Sequence, residues 1–466
     1  MMTDELRASA AMLLKKAPCV VILPAGCGKT HLVAASAAVA AKDGKRLLLL
    51  THTHAGVDAL RRRLRSFDVP IGVAKVSTID SWTHRLVTAF PTLSDYECSP
   101  DIVWGDVHDA TARLFTNPHI RALLSESYDY VIVDEYQDCT IPQHTLVMAV
   151  AALIPTIILG DPLQAIYDFA GPLVDWGKDL SHLQLVAVSA LPWRWYGRNE
   201  ALGTYLTAIR QRLEAGGSID LSSGPVTWME NTPANRRRVC WGKINASGSV
   251  VILEHFPQQC EAISRQLGGH FGLMEEVEGK VLLDFARVVD SADGLAIAAA
   301  TLRFGFASHA KLPAALKGKA TAMEGGAFPT YQPGASLGPV LRVLETLASA
   351  PSALALEQSF EALEGLGGTR FRKEAWDDMR RALRVWHEGA PSLTDGVRTV
   401  RDRRRVTGRG QIRRSVSRAV LVKGQEFDEC VVLAAHSLNA RELYVAMTRA
   451  RSHLTVLSTS RIITPS

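Results

Sequence analysis

The chain has 466 residues, 47% hydrophobic and 21% charged, with a formal net charge of +5. That balance excludes a disordered or low-complexity chain and provides for two to four domains with cores of their own. The seven cysteines (Cys19, Cys27, Cys98, Cys139, Cys240, Cys260 and Cys430) form no CxxC pair, which argues against a zinc site or disulfide framework and leads us to expect a cytoplasmic protein in a reducing cytosol.

Residues 3–16 read as an amphipathic helix with Glu5, Arg7, Lys15 and Lys16, not as a signal peptide. No apolar run approaches the ~18 residues that span a bilayer, so no membrane partner is expected. A strand is predicted over 19–23, followed by a glycine loop and an Ala-rich helix over 29–42. Strands over 47–50 and 73–76 alternate with helices over 55–65 and 80–90. Residues 91–127 carry turn signals at Pro91, Pro100 and Pro118 and read as an insertion. Two short apolar runs, Val131-Ile132-Val133 and Thr156-Ile157-Ile158-Leu159, then resume the alternation, with a further strand over 183–188. Alternating strands and helices predict a parallel sheet covered on both faces.

After Pro192 the pattern changes. A helix is expected over 199–213, an irregular stretch over 215–245, a strand over 249–253 and a helix over 257–267. Residues 280–390 read as mostly helical, broken by a Gly/Pro-rich segment over 325–338. Strands over 420–422, 430–433 and 454–457 and a helix over 440–449 complete a second α/β layer. Positive charge is clustered at Arg61-Arg62-Arg63-Leu64-Arg65 and at Arg236-Arg237-Arg238. Nine arginines (Arg398, Arg401, Arg403, Arg404, Arg405, Arg409, Arg413, Arg414, Arg418) stand against one acid, Asp402. The first two runs suit a solvated face or a polyanion equally; the third suits nucleic acid better.

Three stretches carry chemistry. Leu23-Pro24-Ala25-Gly26-Cys27-Gly28-Lys29-Thr30 lies between a strand and a helix, the context a phosphate-cradling loop requires. There Lys29 would reach the β- and γ-phosphates and Thr30 would ligate Mg²⁺. The strict pattern has Gly where Leu23 stands. The first apolar run ends in Asp134-Glu135-Tyr136-Gln137-Asp138. Asp134 is placed to hold Mg²⁺ through its water shell, and Glu135 to polarise the attacking water, since one carboxylate serves the metal and the other stays available as base. The second run ends in Gly160-Asp161-Pro162-Leu163-Gln164, with Gln164 as the γ-phosphate sensor. The expected cofactors are ATP and Mg²⁺.

These stretches belong to an ordered set that resembles superfamily 1 helicases of the UvrD/Rep type. Pro24 to Thr30 looks like motif I, Thr51-His52-Thr53-His54-Ala55 like motif Ia, and Ser77-Thr78-Ile79-Asp80-Ser81-Trp82 like the segment after it. DEYQD at 134–138 matches DExQD, and the run from Gly160 to Phe169 matches motif III. Pro192-Trp193-Arg194 stands at motif IV, Lys423-Gly424-Gln425-Glu426-Phe427-Asp428 at motif V, and Tyr444-Val445-Ala446-Met447-Thr448-Arg449-Ala450 at motif VI.

The resemblance implies an α/β fold of two RecA-like P-loop domains with ATP bound in the cleft between them and reduced helical insertions. It places the first domain over 1–190, with a small insertion near 91–127. The second domain falls over 191–279 and 396–466, with a helical insertion over 280–395. It assigns Pro24, Ala25, Gly26, Cys27, Gly28, Lys29, Thr30 and His31 to the phosphates, Trp193 to stacking on adenine and Glu426 to the ribose. Arg194 and Arg449 would act as arginine fingers on the γ-phosphate. His52, Thr53, Trp82, Tyr167, Phe169 and Lys423 would contact DNA, the aromatics by stacking on bases.

The implied activity is an ATP-dependent single-stranded DNA translocase or helicase of 3′–5′ polarity, in DNA repair or anti-phage defence. Its partners would be single-stranded DNA or DNA with single-stranded ends. The alternative is a nucleotide- and DNA-end-sensing ATPase subunit that regulates a partner nuclease without processive unwinding. The compact layout resembles UvrD-like subunits of anti-phage systems such as Gabija. The chain departs from the family in lacking a Gln near residues 3–16, from which relaxed base selectivity is expected. It also has Val420-Leu421-Val422 where the family has His-Ser-Ala.

Overall fold

The computed structural model describes residues 3–97, 102–167, 171–274, 279–407 and 413–465. By compactness the chain divides into two units. One comprises Met1–Val226, Leu438–Ser452 and Ile462–Ser466, the other Thr227–Ser437 and His453–Arg461. The first unit thus extends to Val226 and includes the helix Ala440–Met447.

The first unit is built on six strands: β1 (Cys19–Ile22), β2 (Leu47–Thr51), β3 (Ala74–Thr78), β4 (Tyr130–Val133), β5 (Thr156–Gly160) and β6 (Gln184–Leu185). They pair in the order β3-β2-β4-β5-β1-β6, every pair parallel. Both faces of such a sheet are covered, so its strands are continuous apolar runs whose alternate residues feed two cores. Val21, Leu47, Leu49, Ile132, Ile157 and Leu159 pack with the helices Asp4–Lys16, Lys29–Lys42 and His54–Ser66. Val20, Leu48, Leu50, Val131, Val133 and Ile158 join Trp82, Leu114, Phe115 and Leu124 on the other face. The stretch 91–127, expected as an insertion, holds the helices Pro91–Ser94, Trp104–Leu114 and Pro118–Ser127 and supplies part of that second core. The C-terminal ends of β1, β2, β4 and β5 share one edge, where α/β sheets carry their ligands.

After the helix Glu200–Glu214 comes β7 (Ile219–Asp220), then β8 (Val226–Glu230), β9 (Val250–Leu253), β10 (Gly272–Leu273), β11 (His309–Ala310), β12 (Thr369–Arg370), β13 (Arg414–Ser417), β14 (Phe427–Val432), β15 (Ala450–Ser458) and β16 (Ile462–Ile463). A second six-stranded sheet runs β10-β13-β9-β14-β15-β8, parallel through β10, β13, β9 and β14. Two mixed α/β layers of this kind are the architecture of two RecA-like P-loop domains. Between β10 and β13 the chain makes a helical body from Lys280–Ser291 to Leu393–Thr407. Its largely aliphatic core holds an aromatic cluster: Trp376 stacks on Phe304 with centroids 5.7 Å apart and meets Phe360 at 4.3 Å.

Three expectations change. The stretch 215–245 is not irregular: it forms β7, β8 and the helix Pro233–Gly242, which carries Arg236-Arg237-Arg238. Residues 420–422 form a 3₁₀ turn, Ala419–Val422, not a strand. The basic segment is partly internal. Arg401 is buried on Asp378 at 3.1 Å, while Arg413 and Arg414 donate to the carbonyls of Ser247 and Ala246. Arg409 lies outside the described residues. Arg401 therefore cannot reach a phosphate track, because its charge neutralises a buried carboxylate.

Trp376 is fully buried, so Trp376→Ala should destabilise the protein by about 3–5 kcal/mol, measured by urea denaturation of the full chain.

Candidate nucleotide-binding and hydrolysis site

The phosphate loop follows β1. Leu23 extends that strand: its N–H donates to Gly160 O at 3.0 Å and its side chain is in the core. Leu23 thus follows directly on the last residue of β1, still bonded to the end of β5 and packed in the core, ahead of the turn that Gly26 and Gly28 form. Gly26 and Gly28 have φ +73° and +87°, a region side chains avoid. Cβ atoms there would come within 2.8 Å of Trp195 and 2.7 Å of Trp193. Gly28 opens the 14-residue helix Lys29–Lys42, whose N-terminus and dipole favour an anion. Lys29 is buried and donates to Leu23 O at 3.0 Å. Burial pushes the Cys27 thiol up to about 11, so it stays neutral inside the loop.

At the end of β4, Asp134 is buried and its carboxyl is pushed above the usual range, first by burial and then by Glu135, against the pull of Lys29. A carboxylate so short of positive charge is suited to a cation. Among the described residues no group of three or more His, Cys, Asp or Glu stands ready to hold a metal. Mg²⁺ needs no such cage, since it keeps waters and phosphate oxygens beside one or two protein ligands. Thr30 and Asp134 are the residues that would hold it.

Glu135 has φ +57°, a left-handed conformation rare for a side-chain-bearing residue. Gln137, fully buried, donates its amide N–H to the Glu135 carboxylate and accepts from Asp161 N–H at 3.0 Å. Gly160 makes room for it: a Cβ there would meet Gln137 Oε1 at 2.5 Å. One amide thus fixes the Glu135 carboxylate and joins the ends of β4 and β5.

Asp161 is completely buried. Its carboxylate accepts from Gln164 Nε2 at 2.9 Å, from Arg210 Nη2 at 2.9 Å and from Leu163 N–H at 3.3 Å. Burial alone would lower the Arg210 pKa, but Asp161 and Glu214 outweigh it and hold the guanidinium charged. The helix Ala440–Met447 meets the same edge, where Tyr444 Oη accepts from the Ala25 N–H at 3.1 Å. Trp193 lies beside Gly28 and stacks on His31 with centroids 6.3 Å apart and 15° between planes. Arg194 N–H donates to Gly26 O at 3.1 Å, and its guanidinium donates to Thr448 O. Trp195, fully buried, donates to Ala450 O at 2.8 Å. Arg449 is buried, with Nε on Val445 O at 2.8 Å and Nη2 on Thr448 Oγ1 at 3.0 Å.

Residues 7–170 match a protein family described as AAA domain. A stretch of 118 residues is 27% identical to the DNA replication ATP-dependent helicase/nuclease DNA2 of Saccharomyces cerevisiae, covering 25% of this chain and 8% of that protein. The chain thus spans under a tenth of the curated relative it matches. Among solved structures, the Pif1 helicase of Candida albicans gives a TM-score of 0.30 at 12% identity, over 53% of this chain and 55% of that one. A Bacteroides Pif1 bound to ssDNA gives 0.24 at 12% identity, over 53% and 57%.

The first unit therefore brings together the phosphate loop, Lys29, Asp134, Glu135, Gln164, Trp193, Arg194 and the helix of Tyr444. Lys423 and Glu426 belong to the second unit. Of the expected DNA contacts, Trp82 is corrected. It is buried beside Phe115, with centroids 6.1 Å apart, and presents no face to a base. Thr53 caps the helix His54–Ser66, accepting from Gly56 N–H at 3.0 Å. His52 is half-buried with Nε2 3.2 Å from Cys139 Sγ. Tyr167 is half-buried, and Phe169 lies outside the described residues. Sequence reading assigned no role to Gln137, Asp161, Tyr444 or Arg210. Arg210 had one signal: it shares the 3–4 spacing of Leu206 and Leu213 on the apolar stripe of its helix.

Gln137→Ala should lower kcat for ATP hydrolysis about tenfold to a hundredfold while KM stays within about twofold, because it releases the Glu135 carboxylate and leaves the loop over 26–30 untouched. Leu23→Gly should cost about 2–5 kcal/mol of stability without tightening binding of a fluorescent ATP analogue; tighter binding would show that the loop wants its missing glycine.

Proposed function

We propose that this chain is an ATP-hydrolysing motor of the superfamily 1 type that translocates 3′–5′ on single-stranded DNA, with UvrD/Rep-like helicase activity. The reading rests on one observation: a single sheet edge gathers the phosphate loop, the Asp134–Glu135 pair and the Asp161–Gln164 turn. Lys29 and Arg194 would carry the phosphate charge, Thr30 and Asp134 would hold Mg²⁺, and Glu135 would take the proton of the attacking water. ATP with Mg²⁺ supplies the energy; every other step here belongs to side chains of the chain. The second sheet would form the second RecA-like domain, with Lys423 and Glu426 serving as the family motifs imply, and the helical body its reduced insertion; Arg449, in the first unit, would act on the γ-phosphate. The matched yeast protein is named a DNA replication ATP-dependent helicase/nuclease, which supports DNA as substrate; a partner nuclease, and a place in repair or anti-phage defence, are part of the proposal and rest on the family resemblance alone.

Steady-state ATP hydrolysis with and without single-stranded DNA tests the reading. Stimulation by DNA, and its loss in Glu135→Gln with ATP and DNA binding retained, is expected; normal turnover by Glu135→Gln would sink the assignment of the base. Streptavidin displacement from 3′ against 5′ biotinylated ends reads polarity. Absence of displacement from both, with DNA-stimulated ATPase intact, would favour a sensing subunit over a motor.

A further inference from the structure

Arg210 lies one turn before the C-terminal end of the helix Glu200–Glu214, downstream of every motif in the first sheet. Its neighbours at 3–4 residue spacing, Leu206 and Leu213, are buried. An arginine on that stripe has to be neutralised where it stands. Its guanidinium does so twice. Nη2 lies 2.9 Å from Asp161 Oδ1 and 2.7 Å from Glu214 Oε1, and Nη1 donates to Glu214 Oε2 at 2.8 Å. Its Nε has no partner among the described residues.

The two acids are not equivalent. Glu214 is partly exposed, with 39% of its side chain open, and water can solvate it. Asp161 has none, so Arg210 is the only cation on it among the described ion pairs. The other Asp161 oxygen, Oδ2, accepts from Gln164 Nε2 at 2.9 Å. An amide held by its N–H₂ group has its carbonyl end directed by that bond. Arg210 thus sets the Asp161 carboxylate, and the carboxylate sets the Gln164 amide. The charged and titratable groups near Arg210 are Asp161, Glu214, Cys27 and the Tyr444 hydroxyl.

We propose that Arg210 is a positioning residue for ATP hydrolysis, acting through Asp161 to hold Gln164 in the orientation that reads the γ-phosphate. This rests on the ATPase reading above. Loss of Arg210 would leave Asp161 as a buried, unpaired carboxylate that protonates or rotates. Either change releases Gln164 without touching the phosphate loop.

A double-mutant cycle with Gln164 separates this role from a structural one. Steady-state hydrolysis at saturating single-stranded DNA would be measured for wild type, Arg210→Met, Gln164→Ala and the double variant. Arg210→Met should lower kcat about tenfold or more with KM for ATP within about twofold, and the double variant should be no slower than Gln164→Ala alone. Arg210→Lys, which keeps the charge but loses the fork, should fall between wild type and Arg210→Met. Arg212→Met, an exposed position on the same helix, should match wild type. Multiplicative losses in the double variant, or an unchanged kcat in Arg210→Met, would overturn the proposal while leaving the ATPase reading intact. If Arg210→Met does not fold, the cycle is run with Arg210→Lys, and multiplicative losses there overturn it equally. A wild-type protein that hydrolyses no ATP under any condition removes the reading and the proposal together.

Discussion

A carboxylate at the end of β5 has no access to water, and the chain around it is arranged to compensate for that. Asp161 is wholly buried, and an ion in that position needs a counter-charge and its remaining lone pairs satisfied. Arg210 supplies the charge; Gln164 and the Leu163 N–H supply hydrogen bonds. Its own N–H is taken by Gln137, whose other end holds Glu135. Disturbing this carboxylate would therefore disturb the strand ends of β4 and β5 together.

Close packing of large rings on glycines is the second constraint on the site. Trp193 and Trp195 sit where side chains on Gly28 and Gly26 would be, and Trp176 and Gln137 sit where one on Gly160 would be. The glycines of the phosphate loop thus serve twice, through positive φ and through the absence of a Cβ. Trp195 and Asn199 then reach the carbonyls of Ala450 and Ser452 at 2.8 and 2.7 Å. Tyr444 closes on Ala25 from the same segment. Ala25 and Tyr444, 419 positions apart, and Trp195 and Ala450, 255 apart, are thus joined by polar side-chain contacts.

Much of the site was readable from local pattern. The apolar runs before Asp134 and Asp161 read as short buried strands that deliver the polar residues after them at one edge. The Gly-Lys-Thr stretch between a strand and a helix pointed to phosphate for the same reason. Trp82 was misread because a tryptophan beside a polar motif carries no mark of which way it points; its helix turns it inward onto Phe115. Arg401 was misread within a basic run because the partner that neutralises it, Asp378, lies 23 residues earlier on another helix. Arg210 went unassigned because a single charge on an apolar stripe gains meaning only once its partner is known.

Sequence alone determined the order of strands and helices through the first sheet, and the chemistry available at the strand ends. It did so because strand burial and phosphate loops depend on residues close together in the chain. Tertiary structure decided which of those groups are held and by what: Gln137 on Glu135, Arg210 on Asp161, Tyr444 on Ala25. Those pairings depend on distance and burial between remote segments, and a buried charge chooses its partner by where the folded chain leaves it, not by what stands next to it in sequence.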